Sequence, residues 1–462
     1  MLRLFDSVAG EVRELELRDP GKVSMYVCGP TVSGLPHLGH GRFALVWDVT
    51  RRWLTWSGLD VTYVSNITDI EDKIIARARE EQRSEVAVCE EFEGEWWKAI
   101  DALGIARPDH VPHATHYVPQ MVRLIEELLS SDIAYRTSDG VYFDVSRVPD
   151  YGCLAGQPLD SLRAGARVEG HDEKRSPLDF ALWKAAKSDE PSWPASFGSG
   201  RPGWHTECVV MSLDLLGDGF DLHAGGLDLK FPHHENERAQ AVAVGDKFAR
   251  HWAHNGWVMV GSEKMSKSLN NFTSLTDLLA ETDQRAYRLL VLRSHYRSPI
   301  DVTKATISDA ERSLERLDTF ARRFSLPPLG GPRFERAADH EFSSDNAALV
   351  TLVSERLDDD LDTPGALALL FDAVSQANAL SDQGRNEEAQ ALAVTVTALF
   401  GAVGLTLRSR AEDIDEATRA LVRARNEARR AKNWAEADRL RDELVTAGWI
   451  VEDATGETVI RR

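Results

Sequence analysis

A chain of 462 residues with 43% hydrophobic content has room for about three domains with packed cores, which sets it apart from disordered tails and disulfide-stapled miniproteins. Four cysteines make no disulfide framework and suit a reducing cytoplasm, the opening residues lack a signal-peptide pattern, and no apolar run is long enough to span a bilayer. A net charge of −20 excludes a surface that grips nucleic acid everywhere and leaves only local basic stretches for such a partner.

In chain order, Lys22 to Cys28 reads as a buried strand ended by Gly29 and Pro30. From about His40 to Trp56, Phe43, Leu45, Val46, Val49, Trp53 and Leu54 recur at helical spacing, which puts His37 and His40 at or just before a helix N-terminus. A strand over Val61 to Ile67 and a helix over about Asp72 to Leu103 continue an alternation that fits a parallel sheet. The character changes over residues 108–200, with a hairpin pattern at Ala134 to Val145 turning at Ser138–Gly140, then a glycine- and proline-rich stretch. Residues 201–300 resume the first pattern. Beyond Asp301 helical periodicity dominates, predicting a bundle over 301–405 and a small module over 406–462. In that module Trp434, Ala437, Leu440 and Leu444 form a stripe, and Trp449 to Ile460 reads as a hairpin. The predicted architecture is therefore α/β: a Rossmann-type parallel sheet split by an insertion (1–107 and 201–300, around 108–200), followed by the bundle and the C-terminal module.

Two motifs carry chemistry. His37-Leu38-Gly39-His40 is an H-x-G-H at a predicted helix start, where free backbone N–H groups and the helix dipole favour phosphate, two imidazoles add donors, and Gly39 leaves room for a flat base. The same histidines also suit plain capping of helix-end groups. Lys264-Met265-Ser266-Lys267-Ser268 follows the apolar run Trp257 to Val260 and brings mobile positive charge and hydroxyl donors that can close over a triphosphate. A third set, His233 and Glu237, is spaced four apart, on one face of a helix beginning after Pro232.

In their order and setting, the first two motifs resemble the signatures of class I aminoacyl-tRNA synthetases. Met25 to His40, Asn66 to Lys73, Gly203 to Cys208, His223 to Glu237 and the lysine loop resemble the cysteinyl-tRNA synthetase family over nearly the whole chain. Ala224 and Leu38 depart from it without removing a functional group. The resemblance implies a Rossmann-type catalytic domain that binds ATP with Mg2+ through His37, Gly39, His40, Lys264, Ser266, Lys267 and Ser268, with His37, His40, Lys264 and Lys267 stabilising the transferring phosphates. It implies one Zn2+ held by Cys28, Cys208, His233 and Glu237, with the substrate thiol as an added ligand, by a fifth bond or by exchange. Thr31, Asn66, Thr68, Trp204, His223 and Asp228 would line the pocket for L-cysteine. The implied reaction forms cysteinyl-adenylate and transfers the acyl group to the terminal adenosine of tRNA(Cys), in a cytoplasmic monomer without membrane attachment. Cys89 and Cys153 are incidental. A related cysteine ligase of mycothiol biosynthesis, acting on a glucosamine-inositol, shares the nucleotide and zinc residues, and a silent synthetase-like RNA-binding protein is the other alternative. The long helical region after Asp301 and the basic stretch Arg419 to Lys432 favour tRNA, and the intact histidines and lysines favour catalysis.

Overall fold

The computed structural model describes residues 2–156, 173–260, 263–264, 274–409, 416–447, 449–454 and 457–461. Two short strands, β1 (Arg3–Asp6) and β2 (Glu11–Glu14), pair antiparallel ahead of β3 (Lys22–Val27), whose last five residues are all buried. That burial on both faces explains why β3 reads as a continuous apolar run rather than an alternating one. It lies inside a parallel sheet of order β4-β3-β9-β10, formed with β4 (Asp60–Ser65), β9 (Leu222–Gly226) and β10 (His251–Asn255). Bridges from Val64 to His110 and Ile67 to His113 extend the β4 edge. The crossover from β3 to β4 is α1 (Leu38–Trp56), which buries Trp47 and Trp53 in the main core, Trp47 edge-on to Tyr296 and Trp53 donating its indole N–H to Asp358.

The single helix expected over Asp72 to Leu103 is two, α2 (Asp72–Glu81) and α3 (Glu85–Ala102). Gln82 takes a left-handed conformation (φ 53°), and the Ser84 side chain caps α3 by accepting the Ala87 N–H. The apolar period runs on across the break because both helices pack on one core, which hides the cap from a periodicity reading.

Between the halves of the parallel sheet, α4 (Val118–Ser130) precedes an antiparallel sheet of order β5-β6-β7-β8. The expected hairpin is its first pair, β5 (Ala134–Thr137) with β6 (Gly140–Phe143), and it continues through β7 (Phe180–Ala185) and β8 (Gly200–Pro202). α5 (Trp204–Leu216) leads back to β9, and α6 (Glu235–Ala243) connects β9 to β10. β11 (Val258–Val260) then pairs antiparallel with β12 (Glu263–Lys264) and parallel with β13 (Ile300–Asp301), around α7 (Leu275–Glu281) and α8 (Gln284–Leu292). Four longer helices follow: α9 (Lys304–Arg323), α10 (Ala347–Asp358), α11 (Thr363–Asp382) and α12 (Asn386–Ala402). Their apolar faces join the core that also holds α1. The last unit is α13 (Glu416–Arg430), α14 (Trp434–Thr446) and the hairpin β14 (Ile450–Ala454) with β15 (Glu457–Arg461). Ala437, Leu440 and Leu444 are buried as the stripe predicts, but Trp434 is 60% exposed at the first position of α14.

A buried ion cluster ties α1 to the elements around it. The Asp48 carboxylate accepts from Arg52 Nε at 2.8 Å and from Arg288 at 2.7 Å. Burial alone would raise the Asp48 carboxyl, but the two guanidinium groups outweigh it and hold it low. The arginines spend their other N–H groups on the carbonyls of Leu103, Gly104, Gly331, Arg333 and Val403.

Candidate active site and metal centre

The start of α1 is held by the two histidines themselves. His37 is the N-cap; its Nδ1 accepts the His40 N–H at 3.3 Å while His40 Nδ1 accepts the His37 N–H at 3.3 Å, and the rings stack 3.6 Å apart. The capping that the sequence allowed is therefore real, and it does not displace an ATP role: a ring that accepts through Nδ1 carries its proton on Nε2, the donor tautomer a phosphate needs. Gly39 lies in the same first turn, half-buried like both histidines.

The flanks of the lysine loop are anchored on either side. Lys264 pairs in backbone register with Met259, and beyond the loop Ser274 bridges His37 while the Leu275 N–H donates to the Pro36 carbonyl at 2.9 Å. Buried Arg42 on α1 donates to the carbonyls of Trp257, Tyr296 and Ser298, tying the helix to β11, which leads into the loop. The segment that leaves the loop thus lies against the first motif although Ser274 is 237 positions beyond His37. Ser266, Lys267 and Ser268 lie outside the described residues.

Cys28 follows the end of β3 and Cys208 sits in α5. Their sulfurs are 3.6 Å apart. Cys28 Sγ lies 3.5 Å from Glu237 Oε1, Cys208 Sγ lies 3.7 Å from His233 Nε2, and His233 Nε2 is 2.9 Å from Glu237 Oε1. All four residues are buried, with one donor atom each inside a 4.8 Å sphere of mutual distances. Ligands about 2.3 Å from one tetrahedral ion stand about 3.8 Å from each other, so the donor set fits zinc in chemistry and in spacing. His233 and Glu237 share a face because Glu237 lies in the first turn of α6 and His233 one turn earlier, after the cis Phe231–Pro232 bond. Burial opposes ionisation of Cys208, but the Cys28 hydrogen bond and His233 outweigh it and bring this thiol down to about 6, while burial and Cys208 push Cys28 up.

The expected pocket residues divide by what they touch. His223 holds the second oxygen of Glu237, Nε2 to Oε2 at 2.7 Å, and stacks on Trp252, so it orients a proposed ligand. Trp204 stacks on the His233 ring at 4.1 Å, walling that side. Asn66 Oδ1 accepts the Gly29 N–H at 2.9 Å, and its Nδ2 donates to Thr68 Oγ1 at 3.2 Å. The Thr68 hydroxyl in turn donates to Glu207 at 2.9 Å. Thr31 bridges Thr68 in backbone register, and exposed Asp228 folds over Gly226.

Several buried or half-buried groups at the site carry no signal of their own in the sequence. His205 Nδ1 meets His233 Nδ1 at 2.9 Å, and a chain runs from His234 through His254 to the Ser7 hydroxyl, at 2.9 and 2.7 Å. Burial pushes His254 down to about 3, helped by Lys230. Glu207 is fully buried, and burial together with Cys208 raises its carboxyl well above the usual range. The available signal was adjacency: His205 and Glu207 flank Cys208, and His234 follows His233.

Residues 14–312 match the family described as tRNA synthetases class I (C) catalytic domain, which makes this a class I aminoacyl-tRNA synthetase. Residues 353–408 match the DALR domain, and residues 411–461 the cysteinyl-tRNA ligase anticodon binding domain. The fold is shared with Mycobacterium tuberculosis methionyl-tRNA synthetase in complex with methionyl-adenylate, at a TM-score of 0.59 and 16% identity over 83% of this chain and 89% of that one. Among relatives, the cysteine–tRNA ligases of Chromobacterium violaceum and Halorhodospira halophila are 44% and 43% identical, each over the full length of both chains. The chain belongs to the cysteine–tRNA ligase family.

Proposed function

We infer that the protein is a cysteine–tRNA ligase: it activates L-cysteine with ATP and charges tRNA with the resulting cysteinyl group. The observation that carries the amino-acid choice is the convergence of Cys28, Cys208, His233 and Glu237 on one buried point. In this reading these four hold zinc, which when bound supplies a preference for soft sulfur over oxygen and takes the substrate side chain as thiolate. Shape alone separates near-isosteres such as cysteine and serine by only a few kcal/mol. His223 and Trp204 keep Glu237 and His233 in place, and the Asn66–Thr68–Glu207 chain fixes the pocket wall beside Cys208. Thr31 and Asp228 are assigned to the rim of the cysteine pocket.

At the other end of the site, Nε2–H donors of His37 and His40, Lys264, Lys267 and the hydroxyls of Ser266 and Ser268 neutralise charge on the phosphates of ATP, which enters with Mg2+. Gly39 leaves space for the base. The cysteine carboxylate is already ionised and attacks the α-phosphorus, breaking its bond to the α–β bridging oxygen and releasing pyrophosphate, so no protein nucleophile is needed; the residues align reactants and stabilise charge. Residues 1–107 and 201–300 are assigned to the catalytic halves, 108–200 to the connective insertion, 301–405 to the bundle and 406–462 to anticodon binding. Among the described residues no helix is long and apolar enough to cross a membrane. Four free cysteines accord with a cytoplasmic protein, which we take to be a monomer. The test offers cysteine and ATP with either tRNA or glucosamine-inositol as acceptor. Cysteinyl ester on tRNA supports the reading, whereas acylation of the amino-sugar alone overturns it.

A further inference from the structure

Tyr26 stands on β3 two residues before Cys28, so the strand's period sends both side chains to the same face. It is completely buried, its ring edge-on to His223 at 5.3 Å and tilted against Phe220 at 6.5 Å. Its hydroxyl makes no well-aligned hydrogen bond to any described group, but Cys208 lies within hydrogen-bonding reach and is the strongest charged neighbour of the phenol, followed by Cys28 and Glu237. A buried hydroxyl without a partner is worse than the C–H of phenylalanine in the same place, so a site that carries one has a use for its proton.

The ligand charges supply that use. Zn2+ with two thiolates, one carboxylate and a neutral imidazole carries one net negative charge, and a substrate thiolate adds another, all within buried surroundings. Negative charge so placed needs hydrogen-bond donors around its ligands. Glu237 has His223, and His233 has His205. For the Cys208 sulfur, Tyr26 offers a buried O–H that is not committed elsewhere.

We propose that Tyr26 is a positioning residue of the thiol-recognition site: its hydroxyl donates to the Cys208 thiolate of the loaded centre, draws charge from that sulfur, and lets the same ligand set accept the substrate thiolate. The inference rests on the zinc reading above, and its test separates the two. Tyr26→Phe keeps the ring and its contacts and removes only the hydroxyl. The probe is Co2+ loaded in place of zinc, read by thiolate-to-cobalt absorption. In Tyr26→Phe these bands move to lower energy, because the sulfur lone pair loses a stabilising donor. Zinc affinity, measured by competition with a chromophoric chelator, falls about 10- to 100-fold. KM for cysteine rises while KM for ATP stays put. Packing alone would move none of these, and bands and affinity equal to those of the unaltered protein overturn the inference. Uniform 3-fluorotyrosine keeps the side chain and sharpens its acidity, so the bands move to higher energy; an unchanged spectrum counts against the donor role. If the unaltered protein gives no thiolate–cobalt absorption at all, the zinc reading itself fails and Tyr26 goes with it.

Discussion

Asp48 offers the most quantitative test of how α1 is held. The cluster of Asp48, Arg52 and Arg288 carries one net positive charge, all three residues being no more than 2% exposed, and the surplus is spread over backbone carbonyls. Asp48→Asn leaves two buried guanidinium groups facing each other without a counter-ion, a loss on the order of 3–5 kcal/mol. Arg288→Met leaves the Asp48–Arg52 pair balanced and orphans the carbonyls of Leu103 and Val403, about 1–3 kcal/mol. Arg52 still serves Gly104. The order of damage is therefore Asp48→Asn above Arg288→Met, and combining them recovers part of the first loss because the pair is coupled. Urea unfolding followed by tryptophan fluorescence measures these losses, with Trp47 and Trp53 buried on α1 among the chain's twelve reporters. Arg288→Met proving as damaging as Asp48→Asn, or Asp48→Asn within about 0.5 kcal/mol of the unaltered protein, refutes the charge argument.

Gly29→Ala places a Cβ 1.7 Å from the Asn66 carbonyl oxygen, so backbone must move; metal content by mass spectrometry should fall well below one per chain, and full occupancy contradicts this. Lys267→Ala should slow adenylate formation in single turnover about a hundredfold or more with little change in cysteine affinity; an unchanged rate removes Lys267 from the phosphate site. His254 has a folded pKa of about 3 against an ordinary 6.5, so the unfolded chain binds the proton first: stability is full above pH 6.5 and is lost as pH falls toward 3. At pH 5 the loss is about 2 kcal/mol, and His254→Gln should flatten the slope of stability against pH between 6.5 and 5.

Much of this was legible because the signals are local. The buried run of β3, the stripe of α1 and the two-residue turn of the β5–β6 hairpin follow from period and turn chemistry over a few residues. His233 and Glu237 could be paired for the same reason, one helical turn apart. The meeting of Cys28 with Cys208 could not, because it depends on β3 lying beside β9 across nearly two hundred residues of intervening chain. Here the family resemblance, and not spacing, supplied the ligand set. His205, Glu207 and His254 escaped for a related reason: such polar side chains declare themselves only through partners, and theirs come from other elements, as do the rings that surround Tyr26. The split between α2 and α3 was lost to a left-handed Gln82, a conformation that sequence seldom announces without glycine.

The most direct measurement is pyrophosphate exchange with cysteine and with serine, each on zinc-replete and thoroughly demetallated protein. The expected result is exchange that depends on cysteine and on zinc, with serine near background throughout. Comparable turnover of the two amino acids, or discrimination that survives removal of the metal, contradicts recognition of sulfur by a bound cation.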